Sequence, residues 1–366
     1  MNVLNIITGS DNGGGGEYVL NICRSTLFNP SLICIGEGKL LEKALNENIN
    51  VRALNVKEIM GKSLEEYIEE NNIDIILWHG AKAFFLHKLM NNKIKNKSIA
   101  VVHSNFKNDF SNNGIKKIFF TPLSYLGLRS FKRYIAVSKV IKELIKKSFD
   151  AEKIYVVRNS IDIKTILGDL DITREKIGIG EDQFLFINVG RLHPVKNQIN
   201  LLKGYKLLTS KYKNCKMIIV GDGSEKKRLE KYINENNLDD FVIMLGEQDK
   251  AYRYIDLSDA NILSSKNEGG EPPIVVLEGA VLTKPTLCSD IGFLKEIINK
   301  ERGYIFNPNN EYEIFKAMEN CLNDSNRLTK AEKLKEYVLE NHTMEKFYEQ
   351  YYMIFNECIR KDSNNE

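Results

Sequence analysis

Two permanent cations, Arg191 and Lys196, stand five positions apart in "INVGRLHPVKNQINLL", residues 187–202. They follow an apolar run that turns at Gly190 and precede a helical pattern that starts at Asn197 or Gln198. A guanidinium presents a planar fork to phosphate oxygens, and an ammonium supplies a compact point charge. The unpaired N–H groups of a helix start favour an anion at the same place. Type and spacing together predict a diphosphate site. The alternative is a pair of solvated surface ion pairs, which contribute little individually.

A second constellation is "NEGGEPPIVVLEGAVLTKP", residues 267–285. Pro272 and Pro273 suit a first helical turn. Ile274, Val275 and Val276 would then offer free N–H groups to another phosphate, and Glu278 could accept hydrogen bonds from two ribose hydroxyls. Gly269 and Gly270 allow the loop to approach a ligand closely. A third is "ITGSDNGGGGEYVLNI", residues 7–22, with four glycines, Gly13 to Gly16, before a helical pattern. It reads as a ligand loop at a helix N-terminus, or as a plain flexible turn. A dinucleotide fingerprint from Gly13 and Gly15 would need glycine where Tyr18 stands. Glu37, after the second apolar run, is a partial hint of ribose binding that this failure outweighs.

His79 and His103 follow the apolar runs "DIILW" and "SIAVV", so both sit at strand ends, while His193 lies between the two cations. His87 and His342 read as packing or surface residues. No pair has the spacing of a zinc site. "DLD" at 169–171 formally matches a metal-binding pattern, but it lies in a polar interdomain stretch and is read as chance.

These residues need elements to hold them. Apolar, non-alternating runs recur between helical patterns: "VLNIITG", "SLICIGE", "DIILWHG", "SIAVVHS", "RYIAVS" and "KIYVVRN", then "FLFINVG", "KMIIVGDG", "FVIMLG", "ANILSS", "PTLCSD" and "GYIFNP". Such runs suit parallel strands buried on both faces. Their alternation with helices predicts α/β architecture: two Rossmann-like, doubly wound domains facing across a cleft. The expected domains are 1–161 and 162–343, with a helix at about 344–358 packing back on the first. In such sheets ligands bind beyond the carboxyl ends of the strands, where the cations, the glycine loop and both histidines stand.

The bulk properties exclude some classes. The 366 residues carry 52 basic and 49 acidic side chains, a net +3, too balanced for nucleic acid as the main ligand. The six cysteines form no CxxC pair, which predicts a reduced, cytoplasmic protein. "MNVLNIITGS" has the pattern of a strand rather than of a secretory leader. No apolar run approaches the roughly 20 residues that span a bilayer.

With these positions in hand, the chain resembles the family 4 retaining glycosyltransferases of GT-B fold. The pieces stand in family order: Gly13–Gly16, "HSN" at His103, "AVSK" at Ser138, "NSID" at Asn159, "GRLHPVKN", "VGDGSEKKRLE", "SDANILSS", the Glu/Pro loop and "GFLKEII". The resemblance implies metal-independent transfer from a nucleotide sugar, a UDP-sugar being the expected donor, with no further cofactor. Arg191 and Lys196 would stabilise the diphosphate, and Glu278 would hold the ribose. The loop 268–273 would lie along the donor sugar, and His103 would contact it from the other domain. Gly14, Gly15 and Gly16 would let the acceptor or the diphosphate come close. The implied partners are the nucleotide sugar and a glycan or lipid-linked acceptor, in polysaccharide or glycoconjugate biosynthesis.

The chain departs from the pattern in two places. The family's paired glutamates are separated by seven residues, and that spacing from Glu278 falls on Gly270. Glu268 or Glu271 must take the place. "NSID" also has Ser160 where glycine is usual. Two further readings are an epimerase of GT-B-like fold and a non-catalytic nucleotide-sugar-binding subunit. Finally, "GIKKIFFTPLSYLGLRSFKRYIAV", residues 114–137, mixes basic and aromatic residues. It reads either as a peripheral contact with anionic headgroups or as an amphipathic segment packed on the sheet.

Overall fold

The computed structural model describes residues 1–11, 14–103, 125–268, 272–292 and 294–363. The chain divides into two units. One comprises Met1–Asn159 and the stretch from Met344 onward, and the other Ser160–Glu268 and Pro272–Thr343.

The first unit holds a seven-stranded parallel sheet in the order β3-β2-β1-β4-β5-β6-β7. Its strands are β1 (Asn2–Thr8), β2 (Asn29–Ile35), β3 (Val51–Leu54), β4 (Ile75–His79), β5 (Ser98–Val102), β6 (Tyr134–Ala136) and β7 (Ile154–Val156). Every residue of β4 and β5 is buried, as expected of central strands covered on both faces. The six apolar runs of this half all form strands. The seventh strand, β3, has the sequence "VRAL" and lies at the sheet edge, where only Leu54 is buried.

The second unit holds a six-stranded parallel sheet in the order β10-β9-β8-β11-β12-β13. Its strands are β8 (Phe184–Val189), β9 (Cys215–Val220), β10 (Val242–Gly246), β11 (Ala260–Leu263), β12 (Thr286–Ser289) and β13 (Tyr304–Phe306). In both sheets the strand order reverses once, at β1/β4 and at β8/β11. A crevice opens beyond the strand ends at such a reversal. The ends of β1, β4, β8 and β11 and the loops after them carry the glycine loop, His79, the two cations and Glu268.

The break falls between Asn159 and Ser160, two residues before the position read from the sequence. Ile161 N–H donates to His342 O at 3.0 Å, and Ile161 bridges to Thr343, so both residues belong with the second sheet. The helix Met344–Ser363 then packs on the first core. Phe347 and Tyr351 surround Tyr18, and Phe355 meets Phe28 edge-on with centroids 5.3 Å apart. Tyr351 OH and Tyr18 OH lie 3.1 Å apart, and Tyr18 OH donates to Val157 O.

All six cysteines are buried, and none forms a disulfide. Residues 104–124, including Lys116, Lys117, Phe119 and Phe120, lie outside the described residues. In the remainder of the basic and aromatic segment, Leu128, Phe131 and Tyr134 are core residues. Among the described residues no helix is long and apolar enough to cross a membrane.

The packing of the last helix is testable. Phe355→Ala should cost about 3–5 kcal/mol, the usual loss for a buried phenylalanine. Trp78, the single tryptophan, is wholly buried in the first core and reports its unfolding. An unchanged denaturation midpoint by Trp78 fluorescence would show that the helix is not part of that core.

Candidate active site

The cation loop is held from several sides. Gly190 N–H donates to Val220 O at 2.9 Å, and Leu192 N–H to Asp222 O at 2.9 Å. The fully buried Leu192 side chain anchors the turn between the cations. Gly221 makes this docking possible, because a Cβ there would stand 2.1 Å from Gly190 O. Arg191 is exposed, and no carboxylate pairs with it among the described residues.

Lys196 does not lead straight into a helix. It ends a 3-10 turn, Pro194–Lys196, whose Val195 N–H is capped by His193 Nδ1 at 3.3 Å. Burial and the neighbouring Arg191 hold the His193 pKa down. Asn197 then adopts the left-handed conformation, φ 60° and ψ 29°, before the helix Gln198–Lys211. Asparagine tolerates this region better than other side-chain-bearing residues. Its buried amide donates to Ser264 O at 3.2 Å and to Pro308 O at 2.7 Å. It thereby ties the β8 loop to the loops after β11 and β13. Ser264 Oγ donates to Lys196 O at 2.8 Å, and Lys266 N–H to Val195 O at 2.8 Å.

The same docking brings a carboxylate onto the ammonium. Lys196 Nζ lies 2.7 Å and 2.8 Å from the two oxygens of Glu268, and Ser265 Oγ donates to one of them. The Lys196 and Glu268 side chains are only 22% and 11% exposed. This is not one of the surface ion pairs that the alternative reading supposed. The cation is kept in a partly desolvated place by one counter-ion, and Arg191 on the same loop has none among the described residues.

The glutamate and proline constellation is placed only in part. Gly270 and Glu271 lie outside the described residues. Pro273 caps the helix Ile274–Val281. Val276 N–H is already spent on Pro273 O at 2.9 Å, so of the three N–H groups expected to be free, Ile274 and Val275 are the two to consider. Asn261 Nδ2 donates to Val275 O at 2.8 Å and fixes this first turn against β11. Glu278 follows on the same helix, partly exposed, while Val276, Leu277 and Ala280 are buried and Val275 is not fully so.

In the first unit the glycine loop has its own anion. Asp11 Oδ1 accepts from Gly16 N–H at 3.1 Å, in the first turn of the helix Gly14–Cys23. Gly15 and Gly16 lie against Asp11, whereas a Cβ on Gly14 would meet nothing within 4 Å. A carboxylate therefore stands where a phosphate at this N-terminus would have to sit. Glu37 is exposed. His79 and His103 are brought together: His79 Nδ1 and His103 Nε2 lie 2.9 Å apart. Burial pushes the His103 pKa down to about 4, against a raising contribution from Asp11.

The remaining candidates are structural. His87 stacks on Phe131 at 3.6 Å and meets Ser130 Oγ at 2.7 Å. Asp169 meets Lys250 at 2.6 Å and Tyr252 OH at 2.7 Å, and pairs with Arg253, which also holds Asp171 at 2.8 Å. Hydrogen bonds from Lys250 and Tyr252 hold the Asp169 carboxyl well below the usual range. Among the described residues, no group of three or more histidine, cysteine or acidic side chains could hold a metal ion. Sequence reading missed Asn197, Ser264 and Ser265. The one available signal was an asparagine placed directly before a helical pattern.

The Asn197 joint predicts a graded stability series. Asn197→Ala loses both carbonyl contacts and places a Cβ residue at positive φ, which together should cost about 2–4 kcal/mol. Asn197→Gly should recover the backbone part alone. Equal denaturation midpoints for both variants and the parent would remove the joint from the account.

Comparison with known proteins follows this geometry. Residues 169–340 match the family described as Glycosyl transferases group 1, and residues 50–165 match Glycosyltransferase Family 4. An uncharacterised glycosyltransferase of Methanocaldococcus jannaschii is 31% identical over 48% of this chain and 45% of its own. The N-acetyl-alpha-D-glucosaminyl L-malate synthase of Bacillus anthracis is 24% identical over 61% of this chain and 58% of its own. The chain thus spans about half the length of these two relatives. The Anabaena protein HepE, solved in complex with UDP-glucose, shares the fold with a TM-score of 0.82, 17% identity and coverage of 98% and 100%. The second unit is thus similar to the glycosyl transferases group 1 over residues 169–340, and most of the first unit to Glycosyltransferase Family 4 over residues 50–165.

Proposed function

We propose that the chain is a cytoplasmic retaining glycosyltransferase. It moves a sugar from a nucleotide-diphosphate sugar, with a UDP-sugar as the working donor, to a hydroxyl of a glycan or lipid-linked acceptor. The observation that carries this reading is the partly buried Lys196 ammonium, held by Glu268 on the loop at the β8/β11 reversal that also carries Arg191, a cation that pairs with no carboxylate among the described residues. A departing nucleoside diphosphate gathers charge on its terminal phosphate, and fixed cations in a poorly hydrated site lower the barrier to that charge.

The roles divide as follows. Arg191 and Lys196 take the diphosphate, joined by the N–H groups of Ile274 and Val275. Glu278 takes the ribose hydroxyls. Glu268 serves first as the counter-ion that aims Lys196, which leaves Glu271 as the glutamate to test beside the donor sugar. His103 meets a sugar hydroxyl. The Asp11 carboxylate favours acceptor hydroxyls over phosphates at Gly14–Gly16. Incubation with labelled nucleotide sugars tests the whole: transfer or donor hydrolysis supports the proposal, whereas an epimerised donor or binding alone replaces it.

Arg191→Ala and Lys196→Ala should each slow transfer by roughly 10²–10³-fold, the scale of losing one group that stabilises developing charge. Arg191→Lys should recover only part of the loss, because it lacks the two-pronged fork. Near-normal turnover in both folded alanine variants would contradict the assignment. Transfer should also survive exhaustive chelation. Complete loss restored by magnesium or manganese would move charge stabilisation from these side chains to a metal.

A further inference from the structure

The side chains behind His103 decide which of its two ring nitrogens carries the proton. Asn5 lies wholly buried on β1, and His79 is wholly buried at the end of β4. Asn5 Nδ2 faces Ser31 O at 3.2 Å. A backbone carbonyl only accepts, so the amide nitrogen must point at it, and Asn5 Oδ1 must point at His79 Nε2, 3.2 Å away. An amide oxygen also only accepts, so His79 Nε2 carries a proton.

The next link follows from charge. A second proton on His79 would place a cation at 0% exposure, with a neutral amide on one side and a neutral ring on the other, at high cost. His79 is therefore neutral, and its Nδ1 is bare. His103 Nε2, 2.9 Å from that nitrogen, must donate to it. The reverse arrangement would set two lone pairs face to face between His79 and Asn5, or two carbonyl oxygens face to face between Asn5 and Ser31. The edge of Tyr18, with centroids 5.0 Å apart, packs on the His103 ring.

We infer that Asn5 and His79 are positioning residues that hold His103 with its proton on Nε2 and its Nδ1 bare, so that the group it binds is a hydrogen-bond donor, a hydroxyl and not a phosphate. The relay runs from Ser31 O through Asn5 and His79 to His103, across the adjacent strands β2, β1, β4 and β5. His103 is partly buried, whereas Asn5 and His79 behind it are wholly buried. An ionised phosphate offers only acceptor oxygens and has nothing to donate to a bare nitrogen. The Asp11 carboxylate has nothing to donate either. The ring is consequently unsuited to protonating a leaving phosphate and suited to orienting a hydroxyl. That this hydroxyl belongs to a sugar rests on the proposed function above, but the position of the proton does not.

Nitrogen-15 spectra of the full-length, histidine-labelled protein at pH 7 test the relay without any substrate. The expected His103 signals are a protonated Nε2 and a bare Nδ1. A proton on Nδ1, alone or together with Nε2, would overturn the inference whatever the activity of the enzyme. Two variants then test the link through His79. His79→Leu removes the acceptor and should give a mixture of His103 tautomers. It should also lower kcat/KM for transfer by roughly 5–100-fold, the range for leaving a buried partner unsatisfied. His79→Asn places an amide oxygen where Nδ1 stood and should restore the single tautomer and most of the lost kcat/KM. A His79→Leu protein with unchanged His103 signals would overturn the relay. A tautomer as expected with no transfer from any nucleotide sugar would instead count against the proposed function.

Discussion

An ammonium and a carboxylate, both largely withdrawn from water, sit in contact where β8 and β11 end. Neither Lys196 nor Glu268 would be stable there alone, because an unpaired charge in such a place costs several kcal/mol. Together they are tolerated, and the rest of the loop geometry serves to bring them together. Asn197 turns the chain through the left-handed region and clamps the neighbouring loops. Ser264 and Lys266 zip the β11 loop onto the β8 loop. Gly221 lets the turn after β9 lie against Gly190. The outcome is a lysine whose long, flexible stem has been aimed in advance. An incoming diphosphate would find the charge in place and would not have to order it.

The two units use one topology for different electrostatics. At the β8/β11 reversal the second unit presents Arg191 and Lys196, of which Lys196 is paired with Glu268. At the β1/β4 reversal the first unit presents no such surplus. Asp11 occupies the helix N-terminus, and the two histidines are held down by burial. The proposed diphosphate site lies at the first of these places, where the cations stand, and not at the second, where Asp11 holds the helix N-terminus. That division follows from side chains at equivalent positions of two similar sheets, not from any difference in fold.

Much of this was readable in the sequence, for identifiable reasons. Twelve of the described strands are near-continuous apolar runs, as burial on both faces demands of the central ones, while β7 and β10 at the edges are mostly only partly buried. The thirteenth, "VRAL", is short and carries Arg52, so it lacked that signature. Strand ends marked the cations and both histidines, because the reversal rule depends only on element order. What stayed hidden depends on contacts distant in sequence. Glu268 lies 72 residues from Lys196, and no local pattern says that they touch. The approach of His79 to His103 depends on the register of β4 against β5, in which His79 pairs with Val101. Val276 looked free because an N–H three residues past a proline can close an early turn, and composition does not say whether it does. The left-handed turn at Asn197 was hidden because asparagine is also an ordinary residue before a helix.

The central claim is that the β8 loop recognises a diphosphate through Lys196 and Arg191. Calorimetric titration with three nucleoside diphosphates and their parent nucleosides, of uracil, guanine and adenine, addresses it most directly and requires no acceptor. The account predicts that at least one diphosphate binds roughly 100-fold or more tightly than its nucleoside, equivalent to about 2.7 kcal/mol, and that Lys196→Ala removes most of this ratio. Diphosphate and nucleoside binding with equal affinity in all three series, or a ratio that Lys196→Ala leaves intact, would contradict it.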